Sequence, residues 1–427
     1  MLEFFDLNYW RGFFNSSTKK RLAENFISLS VLQAVNYIFP LITLPYLVRI
    51  LGPEKFGLIA FAQAFIGYFI ILTDYGFNLS ATREISINRG NKEKVAEIFS
   101  SVMIVKFFLG ILSFLILVSM LTFIPKFGSD WLVYIFTFGM VLGSVLFPVW
   151  FFQGMERMKY ITILNIVAKG IFTVCIFIFI RKMSDYLYVP LINSMGFIVA
   201  GGLSLRIASK DFGIKFQIPS ISAIKHQLQE GWHIFISTAV ISLYTTSNAF
   251  ILGLFTNNTI VGYYSAAEKI VKAAQGLLAP VSQTVYPYFS KLYSENKIKA
   301  KQLLKKILKA VGSVTLLLSI LLSILAPLIV RIILGPAYLE SIWVFRILIF
   351  TFFAIGVNNV LGIQGLVAFG FKSEFFKIVS IYGLIHLIII VFLIHFWQHV
   401  GVALGALTTE SFIGITEYLI LKKKQIL

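Results

Sequence analysis

Apolar runs of about twenty residues, separated by short polar breaks, recur from Phe26 almost to the C-terminus. Each is long enough to cross a hydrocarbon core of about 30 Å as an α-helix. The pattern predicts twelve spans, near residues 26–48, 57–80, 99–123, 131–153, 160–180, 187–205, 232–254, 261–285, 310–334, 342–369, 377–397 and 400–421. The expected fold is therefore an all-α polytopic membrane protein, and an even number of crossings puts both termini on one side.

Several spans are not uniformly apolar. At 100° per residue, Ser265, Glu268, Lys269, Lys272, Gln275, Gly276 and Gln283 fall within an arc of about 120° on span eight. Ile270, Ala274, Leu277, Leu278 and Val281 fill the opposite side. Gln63, Gly67, Asp74 and Asn78 form a polar stripe on span two, as do Gln33, Asn36, Tyr37, Pro40 and Thr43 on span one. Ser237, Tyr244, Thr245 and Asn248 do the same on span seven. Four polar stripes, two from each half of the chain, predict the lining of one aqueous lumen, to which Gln33, Asn36, Gln63, Asn248 and Gln275 contribute uncharged polar groups.

The halves also resemble each other in sequence. ILGPEKFGLIAFAQA (50–64) aligns with ILGLFTNNTIVGYYSAAEK (251–269), which sets Gly57 over Gly262 and Gln63 over Glu268. FFQGMERMKY (151–160) aligns with GIQGLVAFGFK (362–372), setting Gln153-Gly154 over Gln364-Gly365. Six spans per repeat predict two parallel bundles related by a pseudo-two-fold axis along the membrane normal, with a substrate site between the repeats. The expected organisation is an N-terminal segment 1–25, a bundle 26–205, a linker 206–231, a second bundle 232–421 and a tail 422–427. Aromatic residues in the first segment, including Phe5, Tyr9 and Trp10, suit either an interfacial helix or a loosely ordered tail.

Composition agrees: 58% of the 427 residues are hydrophobic and 13% charged, against about 25% charged in soluble domains. The net charge of +18 would otherwise suggest a nucleic-acid partner, but the basic residues are distributed by side. About 26 Lys and Arg fall on the side of the termini and about 6 on the other, which predicts cytoplasmic termini. Lysines of the basic run 291–309 are then expected to face anionic headgroups, and no nucleic acid is implied. Cys175, the only cysteine, excludes an intramolecular disulfide.

A charge in the bilayer interior costs about 3 kcal/mol on insertion scales, so such residues mark function by default. Lys169 and Lys272 fall near mid-depth, and Lys106 and Arg346 nearer the faces, where they can snorkel to water. Glu268 and Lys272, at i and i+4, can neutralise each other, which leaves Lys269 and Lys169 as surplus positive charge. A cationic lumen suits a phosphate-bearing anion. Asp74, Glu268 and Glu410 are candidates for coupling to a proton or sodium gradient, whereas Glu417 lies close enough to the cytoplasmic end to snorkel. His386 is expected to pack or hydrogen-bond within its bundle, and His395 and His399 lack a third metal ligand. No nucleotide-binding loop, H-E-x-x-H or nucleophile elbow occurs. The expectation is a transporter without cofactor or metal, not an enzyme.

PLITLPYLVRILGPEKFG (40–57), TDYGFNLSATREIS (73–86), WFFQGMERMKY (150–160) and LGPAYLES (334–341) resemble the Wzx-type O-antigen and polysaccharide flippases of the multidrug/oligosaccharidyl-lipid/polysaccharide exporter superfamily, over nearly the whole chain. The resemblance implies a MATE-like pair of six-helix bundles with a cationic lumen in the bacterial inner membrane. It also implies a cargo of undecaprenyl-diphosphate-linked oligosaccharide, moved to the periplasmic leaflet, with a polysaccharide polymerase and a chain-length regulator as candidate partners. Arg49, Asp74, Arg83, Gln153 and Glu156 match its motifs, several of them at helix ends where they can serve the fold. The candidate cations for the substrate are Lys272, Lys169, Lys269, Arg49, Arg346 and Lys106. Alternatives are a cation-coupled multidrug exporter of the same fold, with a cavity lined by acids and aromatics, a flippase for the lipid-linked peptidoglycan precursor, or a non-transporting scaffold.

Overall fold

The computed structural model describes residues 17–427, except 279–281, 283, 284, 287, 288, 290, 291 and 294. The expected interfacial helix, the lumen position Gln283 and Val281 of the opposite face lie outside the described residues. Among the described residues the chain is helical, with no β-strand. In order come α1 (Ser17–Asp74), α2 (Phe77–Asn88), α3 (Lys92–Phe123), α4 (Pro125–Gly128), α5 (Trp131–Leu146), α6 (Val149–Gly154), α7 (Met158–Phe179) and α8 (Tyr188–Lys210). Then follow α9 (Ile221–Phe255), α10 (Asn258–Gly276), α11 (Lys297–Ile324), α12 (Ala326–Ile333), α13 (Ser341–Asn358) and α14 (Lys372–Lys423), with a π-helical segment, Asn359–Val367, ahead of α14.

The two longest helices are each broken once. Gly52 in α1 takes φ 66°, a conformation glycine adopts without steric cost, and Pro53 after it disfavours helical geometry there. Gln398 breaks α14 at φ 43°, a conformation that is costly for a residue with a side chain. Eight helices among the described residues are long and apolar enough to cross a membrane, or nine if α9, bent by 53°, is one span. Both broken helices are long enough to cross twice, and α10, less apolar because it carries Glu268, Lys269 and Lys272, corresponds to the last of the twelve predicted crossings.

The basic connectors are helical extensions. Asn91 caps α3 by accepting from the Lys94 N–H at 3.0 Å, and Asn296 caps α11 by accepting from the Lys299 N–H at 2.9 Å. Each side chain satisfies an N–H that the helix itself leaves unpaired. Between α7 and α8 a short turn is held by Asp185, which accepts from the Arg181 and Lys182 backbone N–H groups at 3.0 Å each. Those bonds hold its carboxyl below the usual carboxylate range.

The chain forms two compact units. Unit 1 comprises the described chain up to Phe39, Ile66–Ile178 and Leu187–Thr238. Its core gathers Phe99, Val102, Trp150, Phe151, Phe152, Ile161 and Leu164. In lipid the hydrophobic effect gives little drive to helix pairing, so close packing must supply it. Helices α5 and α8 show how: a Cβ at Gly139 would lie 2.6 Å from the Ser194 Cβ, and one at Gly143 2.5 Å from the Phe197 Cβ.

Unit 2 comprises Pro40–Phe65, Phe179–Tyr186 and Ala239–Leu427. Phe289, Leu304, Val360, Leu361 and Ile413 belong to its core. Here α1 crosses α10 at the two glycines that the repeat aligns. A Cβ at Gly57 would sit 1.8 Å from the Asn258 carbonyl oxygen, and one at Gly262 2.0 Å from that of Pro53. The other aligned pair also behaves alike. Thr82 Oγ1 donates to Gln153 Oε1 at 3.4 Å within unit 1, and Gln364 Nε2 donates to Ser282 Oγ at 2.9 Å within unit 2. Both glutamines thus meet a hydroxyl near the end of the second span of their own half.

Candidate functional site

Unit 2 contains a cavity of about 380 Å³ walled by α9, α10, α13, the π-helical segment and α14. Its polar lining is Tyr244, Thr245, Asn248, Tyr264, Glu268, Lys272, Gln275, Thr351, Asn358, Asn359, His386, Glu410 and Glu417. Helix α10 contributes the polar residues Tyr264, Glu268, Lys272 and Gln275, at i, i+4, i+8 and i+11 along one helical face, so Glu268, Lys272 and Gln275 of the predicted stripe line the cavity.

The lining is mostly engaged in hydrogen bonds. Lys272 Nζ meets Glu268 Oε1 at 3.0 Å, and the Tyr264 hydroxyl donates to the same carboxylate at 3.4 Å. Gln275 donates to Thr351 Oγ1 at 2.7 Å. His386 is buried, with Nδ1 2.9 Å from Thr409 Oγ1 and Nε2 2.8 Å from Asn248 Oδ1. Glu410 accepts from the Tyr244 hydroxyl at 2.5 Å and from Asn358 Nδ2 at 2.8 Å. Glu417, one heptad further along α14, is fully buried at 0% exposure, and neither carboxyl oxygen has a hydrogen-bond partner.

Two expectations need correction here. Glu417 does not snorkel: its helix face points into the unit, between Gly362 of the π-helical segment and Phe375. The cavity also carries no surplus of positive charge, since three glutamates line it against one lysine. Helical arcs placed Lys269 beside Lys272, but its ammonium leaves that wall and lies 4.8 Å from the centre of the Phe56 ring. A 120° arc is wider than one cavity wall, so residues at its edge can turn to different neighbours.

Unit 1 brings predicted site residues together in two pairs that the sequence did not connect. Lys106 is 1% exposed, donating to Asp74 Oδ1 at 2.9 Å and to the Ser144 carbonyl at 3.0 Å. It does not snorkel, because the acid lies within reach inside the unit. Lys169 Nζ donates to Asn36 Oδ1 at 2.5 Å, and Gln33, one turn before Asn36, is half-buried. Glu156 and Arg89 form an ion pair at 3.0 Å, a helix-end contact that holds the fold, while Arg83 is exposed.

The remaining candidates stand apart from the cavity lining. Arg49 is exposed and donates to the Ile332 carbonyl. The Arg346 guanidinium lies 5.0 Å from the Trp343 ring centre, and Gln63 is half-buried in unit 2. Residues that sequence patterning passed over are Asn358 and Thr409. Asn358 sits next to Asn359 and Thr409 within Thr408–Ser411, short polar clusters and not stripes along one helix face.

Comparison with known proteins gives a consistent set of relatives. Residues 22–293 match the family described as "Polysaccharide biosynthesis protein". A protein of Escherichia coli (strain K12) named "Putative O-antigen transporter" is 35% identical over 398 residues, covering 93% of this chain and 96% of the relative. One of the same name from Shigella dysenteriae is 28% identical over 394 residues, covering 92% and 98%. Among solved structures, one described as an inward-facing "multidrug resistance MATE family transporter of the MOP superfamily" superposes with TM-score 0.72 at 15% identity, covering 94% of this chain and 98% of its own. Another, described as "Lipid II flippase MurJ, inward closed conformation", gives 0.70 at 13% identity, covering 95% and 89%. These structural likenesses establish the fold that the helix pattern predicts.

Proposed function

Because this chain belongs to the polysaccharide biosynthesis protein family, among the Wzx-type polysaccharide flippases, we propose that it carries an undecaprenyl-diphosphate-linked oligosaccharide across the bacterial inner membrane. The cargo is an O-antigen or similar repeat unit, moved from the cytoplasmic to the periplasmic leaflet by alternating access. Unaided crossing is prohibitive, since a diphosphate and a sugar chain would lose their water in hydrocarbon. The observation that carries the reading is the cavity of unit 2, a polar chamber cut into helices that are otherwise apolar. Lys272 on its wall and Lys169 in unit 1 are the cations proposed for the diphosphate.

Coupling to a proton or sodium gradient belongs to the same proposal. The acid content of the cavity supports it, with Glu268 and Glu410 on the wall and Asp74 as the candidate in unit 1. That acid content also favours a second reading, cation-coupled export of small cationic compounds on the same fold.

Lys272→Ala and Lys169→Ala are expected to lower surface glycan about tenfold at unchanged membrane abundance, as for the loss of one charged hydrogen bond of ~1.5 kcal/mol. Wild-type glycan in both variants would remove these lysines from the substrate path. Export of a lipid-free cation that fails in Glu410→Gln, with glycan intact, would decide for the second reading.

A further inference from the structure

Two carboxyls on one face of α14 occupy opposite environments in the cavity of unit 2. Glu410 accepts from Tyr244 and Asn358, which supports a charged carboxylate. Glu417 lies seven residues on, about 10 Å along the helix axis. Its side chain is fully buried with both oxygens unpartnered, although it lines the same cavity. The wall beside it is apolar and tight: a Cβ at Gly362 would lie 2.5 Å from Glu417 Oε1 and 2.6 Å from the Phe375 ring.

An ionised carboxylate without donor or cation is strongly penalised in such a place, whereas a neutral acid needs no counter-charge. The titratable groups around the cavity are already committed. Tyr244 of α9 bonds Glu410; Lys272 and Tyr264 of α10 bond Glu268 of the same helix; and His386 of α14 bonds Thr409 and Asn248. Helix α13 and the π-helical segment contribute Asn358 and Asn359 to the lining and no ionisable side chain.

We infer that Glu417 is a proton-binding site and carries a proton in this conformation, since unlike Glu410 it has no donor or cation to support a charge. The proton arrives from water when the cavity is hydrated and returns to water when it opens again. The site stands whatever cargo the protein carries.

The test uses the full-length protein in lipid nanodiscs near neutral pH, read by infrared absorption of the carboxylic-acid C=O group. A protonated-carboxyl band is expected in wild type and in Glu410→Gln, and lost in Glu417→Gln. The amide replaces a neutral acid of equal shape, so Glu417→Gln should melt within a few degrees of wild type. Should that variant not accumulate, Glu417→Asp serves instead, and its band must shift in frequency. The inference is overturned by a wild type without the band, by a band that survives Glu417→Gln or stays unshifted in Glu417→Asp, or by its loss in Glu410→Gln alone. Loss of the wild-type band on adding sodium at fixed pH would also overturn it, since the ion would then be sodium.

Discussion

Lys106 shows what a buried charge does when a partner is within reach. Its ammonium, 1% exposed, is held by Asp74 and the Ser144 carbonyl, so the charge is balanced and its donors are largely satisfied. Removing one member leaves the other charge stranded, at a cost of about 3 to 5 kcal/mol, whereas removing both is far less damaging. Lys106→Met and Asp74→Asn are each expected to lower the melting temperature and yield of detergent-purified protein sharply. The double variant should recover most of the loss. Additive losses in the double variant would show that the pair does not act as a unit. The sequence showed both residues inside apolar spans and gave no sign that they pair, because they lie 32 positions apart.

At the scale of the element, the crossing of α1 and α10 depends on two glycines. Gly57→Val forces a side chain into the Asn258 carbonyl, which is backbone and cannot rotate aside. Overpacking of this kind costs about 3 kcal/mol or more, so the variant should lose most folded protein as judged by size-exclusion profile. Gly67→Ala, on the same helix with nothing within 4 Å of its added Cβ, should be neutral or slightly stabilising. Equal behaviour of the two variants would refute the crossing as a packing constraint. The alignment of Gly57 with Gly262 was legible in the repeat, but their direct contact was not, since a repeat shows equivalence and not proximity.

At the scale of the whole molecule, orientation follows from basic residues and not from packing. Lys422, Lys423 and Lys424 follow the last span, and loops rich in Lys and Arg are retained in the cytoplasm. A green fluorescent protein fused after Leu427 is expected to fluoresce, and alkaline phosphatase at the same point to be inactive. The reverse pattern would invert the topology and with it the proposed direction of transport.

The sequence by itself determined the helical class, the count of crossings, the breaks near Pro53 and Gln398, the repeat and the polar face of α10. These are local or periodic properties, set by hydrocarbon thickness and helix geometry, and can be read along one dimension. The tertiary structure decided which ionisable groups find partners and which do not. Glu410 and Glu417 look alike as acids in an apolar span, yet one meets donors from α9 and α13 and the other meets none. Such partners come from elements up to 166 positions away, and the cost of a charge in low-dielectric surroundings depends on those partners more than on the residue that carries it.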